Sequence, residues 1–161
     1  MFQVGDKIFY PMHGICIVDA VEKKDILGKL ERCYILSIPK VNMEIAIPVD
    51  KASKIGIRKV VGLDILENIL KSFNHGETDP IIFENQRFCK DINKKKMKSG
   101  NIYQGTEVIR DLTRKSQTSK LGQDDTNILD NARRVFVSEL MEVKSIAQEQ
   151  AIYLLDEALN S

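Results

Sequence analysis

The residues best suited to chemistry lie in one basic segment. Residues 86–120 hold ten cationic side chains (Arg87, Lys90, Lys94, Lys95, Lys96, Lys98, Arg110, Arg114, Lys115 and Lys120) against Asp91, Glu107 and Asp111, a net +7. The chain as a whole conceals this, because 24 basic and 23 acidic residues leave a formal net charge of +1. Residues 1–52 balance at seven of each sign, and residues 121–161 hold three basic and eight acidic residues, a net −5. A block of like charge on a near-neutral chain suits the neutralisation of phosphates. On a helix Arg87, Lys90, Lys94 and Lys98 fall at i, i+3, i+7 and i+11, one continuous stripe that Lys95 and Lys96 widen. Such a stripe follows a sugar–phosphate backbone and reads no base by itself. Arg114 and Lys115 form a second, smaller group, and Arg133–Arg134 supply one side chain expected to brace the helices. A solvated face, or an adaptor surface for an acidic protein partner, is the competing reading of the same charges.

Catalytic patterns are missing from the sequence. It contains no glycine-rich phosphate loop, no GxSxG and no HExxH. Cys16, Cys33 and Cys89 are odd in number and form no CxxC pair, so buried thiols are expected rather than a disulfide framework or a zinc site. His13 and His75 have no metal-ligating companions nearby. Asp124 and Asp125 suit a helix start, where the dipole favours negative charge. No enzyme activity, cofactor or metal is expected.

These residues need elements to hold them. The first fifty residues read as short strands: Phe2–Tyr10, then Ile15–Val21 after Pro11 and Gly14, a turn at Asp25–Lys29, and Arg32–Ile38 stopped by Pro39. Met43, Ile45 and Ile47 alternate onto one face before Pro48, the pattern of a half-buried strand. A small, strongly bent sheet or open barrel follows. Beyond residue 60 the period is helical. Leu63, Leu66, Ile69, Leu70 and Phe73 form an i, i+3, i+4 stripe, with a loop at His75–Pro80. A basic helix should run from about Glu84 to Lys98, with Phe88 in the core, and close at Ser99–Gly100. Asn101 should cap the next helix, to about Lys115, and a polar loop should span Ser116–Asp125. Ile128, Leu129, Ala132, Val135, Phe136, Leu140 and Val143 share one side of a further helix. Ser145–Gln148 resembles a capping box before a last helix with Ala147, Ala151, Leu154, Leu155 and Ala158 inward. The fold class is α+β, with a β module at residues 1–55 and a helical bundle of about five helices at 60–161.

Three stretches resemble one family. Tyr10-Pro-Met-His-Gly14 after a Gly-Asp strand, with Ile47-Pro48 beyond, looks like the amino-terminal module of the CarD family, shared with the transcription-repair coupling factor. Val108-Ile-Arg-Asp-Leu112 and Asn131-Ala-Arg-Arg-Val-Phe-Val-Ser-Glu-Leu140 are similar to two helices of that family's carboxy-terminal domain. The resemblance implies a Tudor-like β module that docks on the β subunit of bacterial RNA polymerase. It also implies a helical domain that contacts promoter DNA near the upstream edge of the transcription bubble and modulates open-complex stability.

The resemblance also assigns residues. A polymerase-facing edge strand falls on Met43, Ile45, Ala46 and Ile47, and the family's nearby basic positions match Lys24 and Ala46, of which only Lys24 keeps its charge. Backbone strand addition tolerates that loss. Family members place a tryptophan just before an Asn-x-Arg-aromatic segment. The segment here is Asn85-Gln-Arg87-Phe88, so the position falls on Glu84, and the chain holds no tryptophan. Phe83 could replace it as an apolar wedge, or could pack as a staple with Ile81 and Ile82. Phe83, Glu84, Arg87, Lys90, Lys94, Lys95, Lys96, Lys98, Arg114 and Lys115 are therefore the expected DNA contacts. The expected partners are the polymerase β subunit and promoter DNA, with no membrane, for a chain that is monomeric off the polymerase. The opening residues carry no signal-peptide pattern and no run is long enough to span a membrane, so a cytoplasmic, nucleoid-associated location is expected.

Overall fold

The alternating residues of the first sixty positions pair into one antiparallel sheet. The computed structural model describes residues 1–161, the side chain of Lys40 excepted. Strands β1 (Lys7–Tyr10), β2 (Gly14–Ile26), β3 (Lys29–Ile38), β4 (Met43–Pro48) and β5 (Arg58–Lys59) lie in the order β4-β3-β2-β1-β5. The sheet thus extends past residue 55, because β5 pairs with β1 at Ile8↔Lys59 and Phe9↔Arg58. The β2–β3 hairpin closes on two residues with positive φ, Leu27 (52°) and Gly28 (82°), the geometry that matches strand twist in a tight hairpin. A register shift between Val18 and Ala20 bends the long hairpin. Ile8, Val18, Tyr34, Leu36 and Ile47 form the sheet's own core. Phe9, one residue from Ile8 and on the opposite face, joins the helical core instead.

Six helices follow: α1 (Leu63–Ser72), α2 (Ile81–Glu84), α3 (Gln86–Lys98), α4 (Ile102–Thr118), α5 (Gln123–Lys144) and α6 (Gln148–Asn160). Five are of bundle length and α2 is a single turn, so the α+β expectation stands. Their shared core includes Leu66, Phe73, Val108, Leu112, Phe136, Leu140 and Leu155, with Phe73 edge-on to Phe136 at 5.4 Å.

Several boundaries differ from the sequence expectation. The basic helix starts at Gln86 rather than Glu84, because Asn85 is extended and its side chain accepts from Phe88 N at 3.0 Å. Asn101 caps α4 as expected, accepting from Tyr103 N and Gln104 N at 2.9 and 3.1 Å. The loop expected at Ser116–Asp125 shrinks to Ser119–Gly122, since α4 runs on to Thr118 and α5 begins at Gln123. Ser145 takes the left-handed conformation that ends α5 and does not cap α6. Gln150 Oε1 instead accepts from Ala147 N at 3.1 Å. Ala147 is consequently exposed, Leu154 only half-buried, and Leu159 buried in its place.

Sheet and helices meet through polar contacts as well as apolar ones. Arg58 reaches Glu139 of α5 with two parallel bonds of 2.8 and 2.9 Å, donates Nε to Gly100 O at 2.6 Å, and stacks over Phe9 at 4.3 Å. Gly100 (φ 73°) packs so closely on the Gly56 carbonyl that a Cβ there would collide with backbone. Arg134 of α5 donates to Met12 O and His13 O at 2.6 and 3.2 Å, fixing the turn between β1 and β2.

Candidate nucleic-acid interface

Helix α3 presents an inner and an outer face at the spacing its sequence dictates. Cys89, Asn93 and Met97, four residues apart, are buried. Arg87, Lys94, Lys95 and Lys98 point outward and are exposed, and no ion pair engages them among the described residues. The other two lysines of the run are partly neutralised. Lys90 pairs with Asp124 of α5 at 3.2 Å, and Lys96 pairs with Glu107 of α4 at 2.8 Å. Four free cations on one helical face remain, and those in the last turn also complement the negative end of the helix dipole.

Two aromatic residues flank the start of this face. Phe83 is 41 % exposed, and so is Phe88, which the sequence had placed in the core. The core contact in this stretch is made by Ile82. Cys89 takes the buried place beside Phe88, because residues 89, 93 and 97 define the inner line and Phe88 sits off it. Glu84 is exposed between the two rings in sequence.

Two of the expected DNA contacts lie elsewhere. Lys115 is only 8 % exposed, and its Nζ donates to Asp125 Oδ2 at 2.8 Å, Gln86 Oε1 at 2.7 Å and Cys89 Sγ at 3.5 Å. Burial disfavours its ammonium, but the hydrogen bond and charge of Asp125, with Cys89, outweigh it and raise the Lys115 pKa above 10.5. The side chain ties α4 to the starts of α3 and α5. A sequence signal for this existed: Lys115 follows Val108 and Leu112 at the i, i+4, i+7 spacing of the inner stripe, and Asp125 is its counter-charge. Arg114 spends its donors on a loop, reaching Asn74 O and Gly76 O at 2.8 and 2.9 Å and Thr78 Oγ1 at 3.1 Å. Arg110 helps, donating to His75 O at 2.8 Å. Asp125 does open α5, as expected, while also serving Lys115. Arg133 pairs with Asp156 of α6 at 2.8 Å, and Arg134 braces the β1–β2 turn, so both adjacent arginines are structural.

The expected polymerase-facing strand is an edge. β4 pairs only with β3, leaving its other side open, with Met43 and Ala46 exposed, Ile45 half-buried and Ile47 buried against Tyr34. Lys24 lies on β2, two strands away, in the part of the hairpin beyond β4. It is beside Glu22 at 3.4 Å and opposite Glu31. The structure therefore gathers Met43–Ile47 on one edge and leaves Lys24 off it.

All three cysteines are free and buried, and burial pushes the Cys16 thiol up to about 11. Among the described residues no group of three or more His, Cys, Asp or Glu could hold a metal ion. Among the described residues no helix is long and apolar enough to cross a membrane.

The stretches that carried the sequence resemblance meet in space: Asn131 and Arg134 hold the Met12–His13 turn, and Ser138 packs on Gly14. Comparison with known proteins agrees with that layout. Residues 2–61 match the CarD-like/TRCF RID domain, and residues 68–156 match the CarD C-terminal domain. A Bacillus subtilis (strain 168) protein named "Putative transcription factor YdeB" is 39% identical over 150 residues, covering 93% of this chain and 97% of its own. With both domains matched in order along a single bent sheet and helical bundle, the chain belongs to the CarD family.

Proposed function

We propose that this chain is a non-enzymatic transcription regulator that binds the RNA polymerase β subunit through the open edge of β4 and promoter DNA through the outer face of α3. The observation that carries the DNA half is the set of four unpaired cations, Arg87, Lys94, Lys95 and Lys98, on one helix of a near-neutral protein. Family membership, and a relative named as a transcription factor, support the setting. Lys90 and Lys96 sit beside this track with part of their charge already used. Arg114 and Lys115 stay outside it. Phe83 and Phe88, exposed rings on either side of Arg87 in sequence, are the apolar groups available to lean on an opened base step where family members use tryptophan.

The mechanism is energetic. A DNA contact made in the open complex and not in the closed one shifts their ratio tenfold for each 1.4 kcal/mol or so. Docking on polymerase supplies the address and raises the local DNA concentration that α3 experiences. Transcription rises or falls according to which step limits a given promoter.

The β4 edge offers the sharper test. Successive residues of an edge strand direct their backbone groups alternately toward the neighbouring strand and away from it. One of Ile45→Pro and Ala46→Pro therefore removes a donor facing outward, while the other breaks the β3 ladder. The outward variant should melt like the parent and fail to capture purified β subunit. Capture unchanged in that variant would dismiss strand addition at β4.

A further inference from the structure

The two proposed binding surfaces lie on opposite sides of a continuous polar and apolar joint. In the order β4-β3-β2-β1-β5 the open edge is β4, and the far edge, β5, carries Arg58. Four inter-strand steps of about 4.8 Å put these edges about 19 Å apart measured along the sheet. Arg58 then grips two separate places in the helical half. Its Nε holds Gly100 O, at the corner where basic helix α3 ends, and its fork holds the Glu139 carboxylate on α5. Glu139 is 1 % exposed and also accepts Val61 N at 2.9 Å, in the segment that leads from β5 to α1. Gly56 on Gly100 and Phe9 under the Arg58 guanidinium close the joint.

We propose that Arg58 and Glu139 are positioning residues that make sheet and bundle one rigid body, so that β4 and the outer face of α3 stand at one fixed separation. The role rests on the functional reading above. A protein that only needed two binding surfaces could join them by a flexible segment, whose effective local concentration spreads over many geometries. A bidentate guanidinium–carboxylate pair whose carboxylate is buried is instead directional and tolerates little rotation. It bonds the end of the DNA-facing helix to the sheet directly, which favours DNA held at one place relative to the docked polymerase.

The test uses the full chain in three forms: parent, Arg58→Lys, and the double variant Arg58→Met/Glu139→Met. Lysine keeps a cation for Glu139 but loses the fork and the reach to Gly100 O. The double variant leaves no unpaired buried charge, so it remains foldable if the single change does not. Nitroxide labels at Glu44→Cys and Asp91→Cys, both exposed, report the β4-to-α3 distance while the native cysteines stay buried. The parent should give one narrow distance, and both variants a broadened one. Measured on the same forms without labels, affinity for free duplex and for β subunit should stay within about twofold, while the open-complex lifetime conferred by the protein falls about tenfold, as expected when a rigid join becomes a loose one. A distance that stays narrow in both variants overturns the proposal, and so does a broadened distance with unchanged lifetime. Lifetime that merely follows melting temperature, recovering in any variant whose stability recovers, also overturns it, since the pair would then be structural only. A parent that binds neither polymerase nor DNA defeats the functional reading instead, with the distance measurement still deciding whether the joint exists.

Discussion

If the outer face of α3 binds phosphates, removing Lys94, Lys95 and Lys98 together should change the salt dependence of DNA binding by a predictable amount. The four free cations each displace close to one counterion, so the parent's slope of log K against log salt should be about −3.6 for duplex DNA. Between 50 and 200 mM salt, affinity should then fall roughly 150-fold. The triple alanine variant keeps Arg87 alone, with a slope of about −0.9 and a fall of roughly 3.5-fold. Fluorescence anisotropy on a labelled duplex at four salt concentrations measures both slopes, and two unrelated sequences should give the same answer. Stability should scarcely change, because these side chains are exposed and make no ion pair among the described residues. Lys90→Ala/Lys96→Ala is the internal contrast: each of these lysines already has a carboxylate partner, so removing both should move the slope by less than about half of the roughly 1.8 that two full phosphate contacts would give. A triple variant with the parent's slope, or a loss confined to one sequence, would refute phosphate tracking by this face.

Other consequences are equally direct. Lys115→Met leaves Asp125 buried without its cation, which should cost about 3–5 kcal/mol in urea unfolding at neutral pH. Because the Lys115 pKa is raised in the fold, its contribution is complete below 10.5 and declines as pH rises through the raised value. The gap between parent and variant should therefore narrow in strongly alkaline buffer. Phe83→Ala and Phe88→Ala should each cost less than about 2 kcal/mol, since both rings are half-exposed, whereas Phe136→Ala should cost about 3–5. If those two rings touch the bubble edge, open-complex lifetime by competitor challenge should shorten in either variant at unchanged melting temperature. Gly100→Ala should sharply reduce the yield of folded protein, because its Cβ would meet the Gly56 carbonyl and its φ is positive. A normal melting curve for that variant would mean the sheet and bundle are not pressed together at this point.

How much was legible in the residues differs between elements. Local signals were dependable where one short-range force dominates. The Asn101 cap and the Gly100 helix stop follow from φ preferences and side-chain hydrogen bonds within a few residues, and both stand where the sequence put them. The turn expected over Asp25–Lys29 narrows to Leu27–Gly28, because β2 runs on to Ile26 and β3 begins at Lys29. Ser145 failed as a cap for an equally local reason: two chemistries compete there, and the left-handed end of α5 takes the residue that a capping box would have used. The outward lysines of α3 were readable from spacing, since a period of 3.6 separates them from Cys89, Asn93 and Met97.

Pairing across long sequence distances was not readable in the same way. Composition alone established that the cationic charge is concentrated in one segment, and periodicity established which turns of the helix face outward. Which of those charges remain free was decided by carboxylates brought from other elements: Asp124 to Lys90, Glu107 to Lys96 and Asp125 to Lys115. Arg58 and Glu139, 81 residues apart, carried no local mark of their partnership. A side chain's charge is a property of the sequence. Whether that charge meets solvent, phosphate or a buried counter-charge depends on the dielectric and the neighbours around it, and those exist only once sheet and bundle have closed on each other.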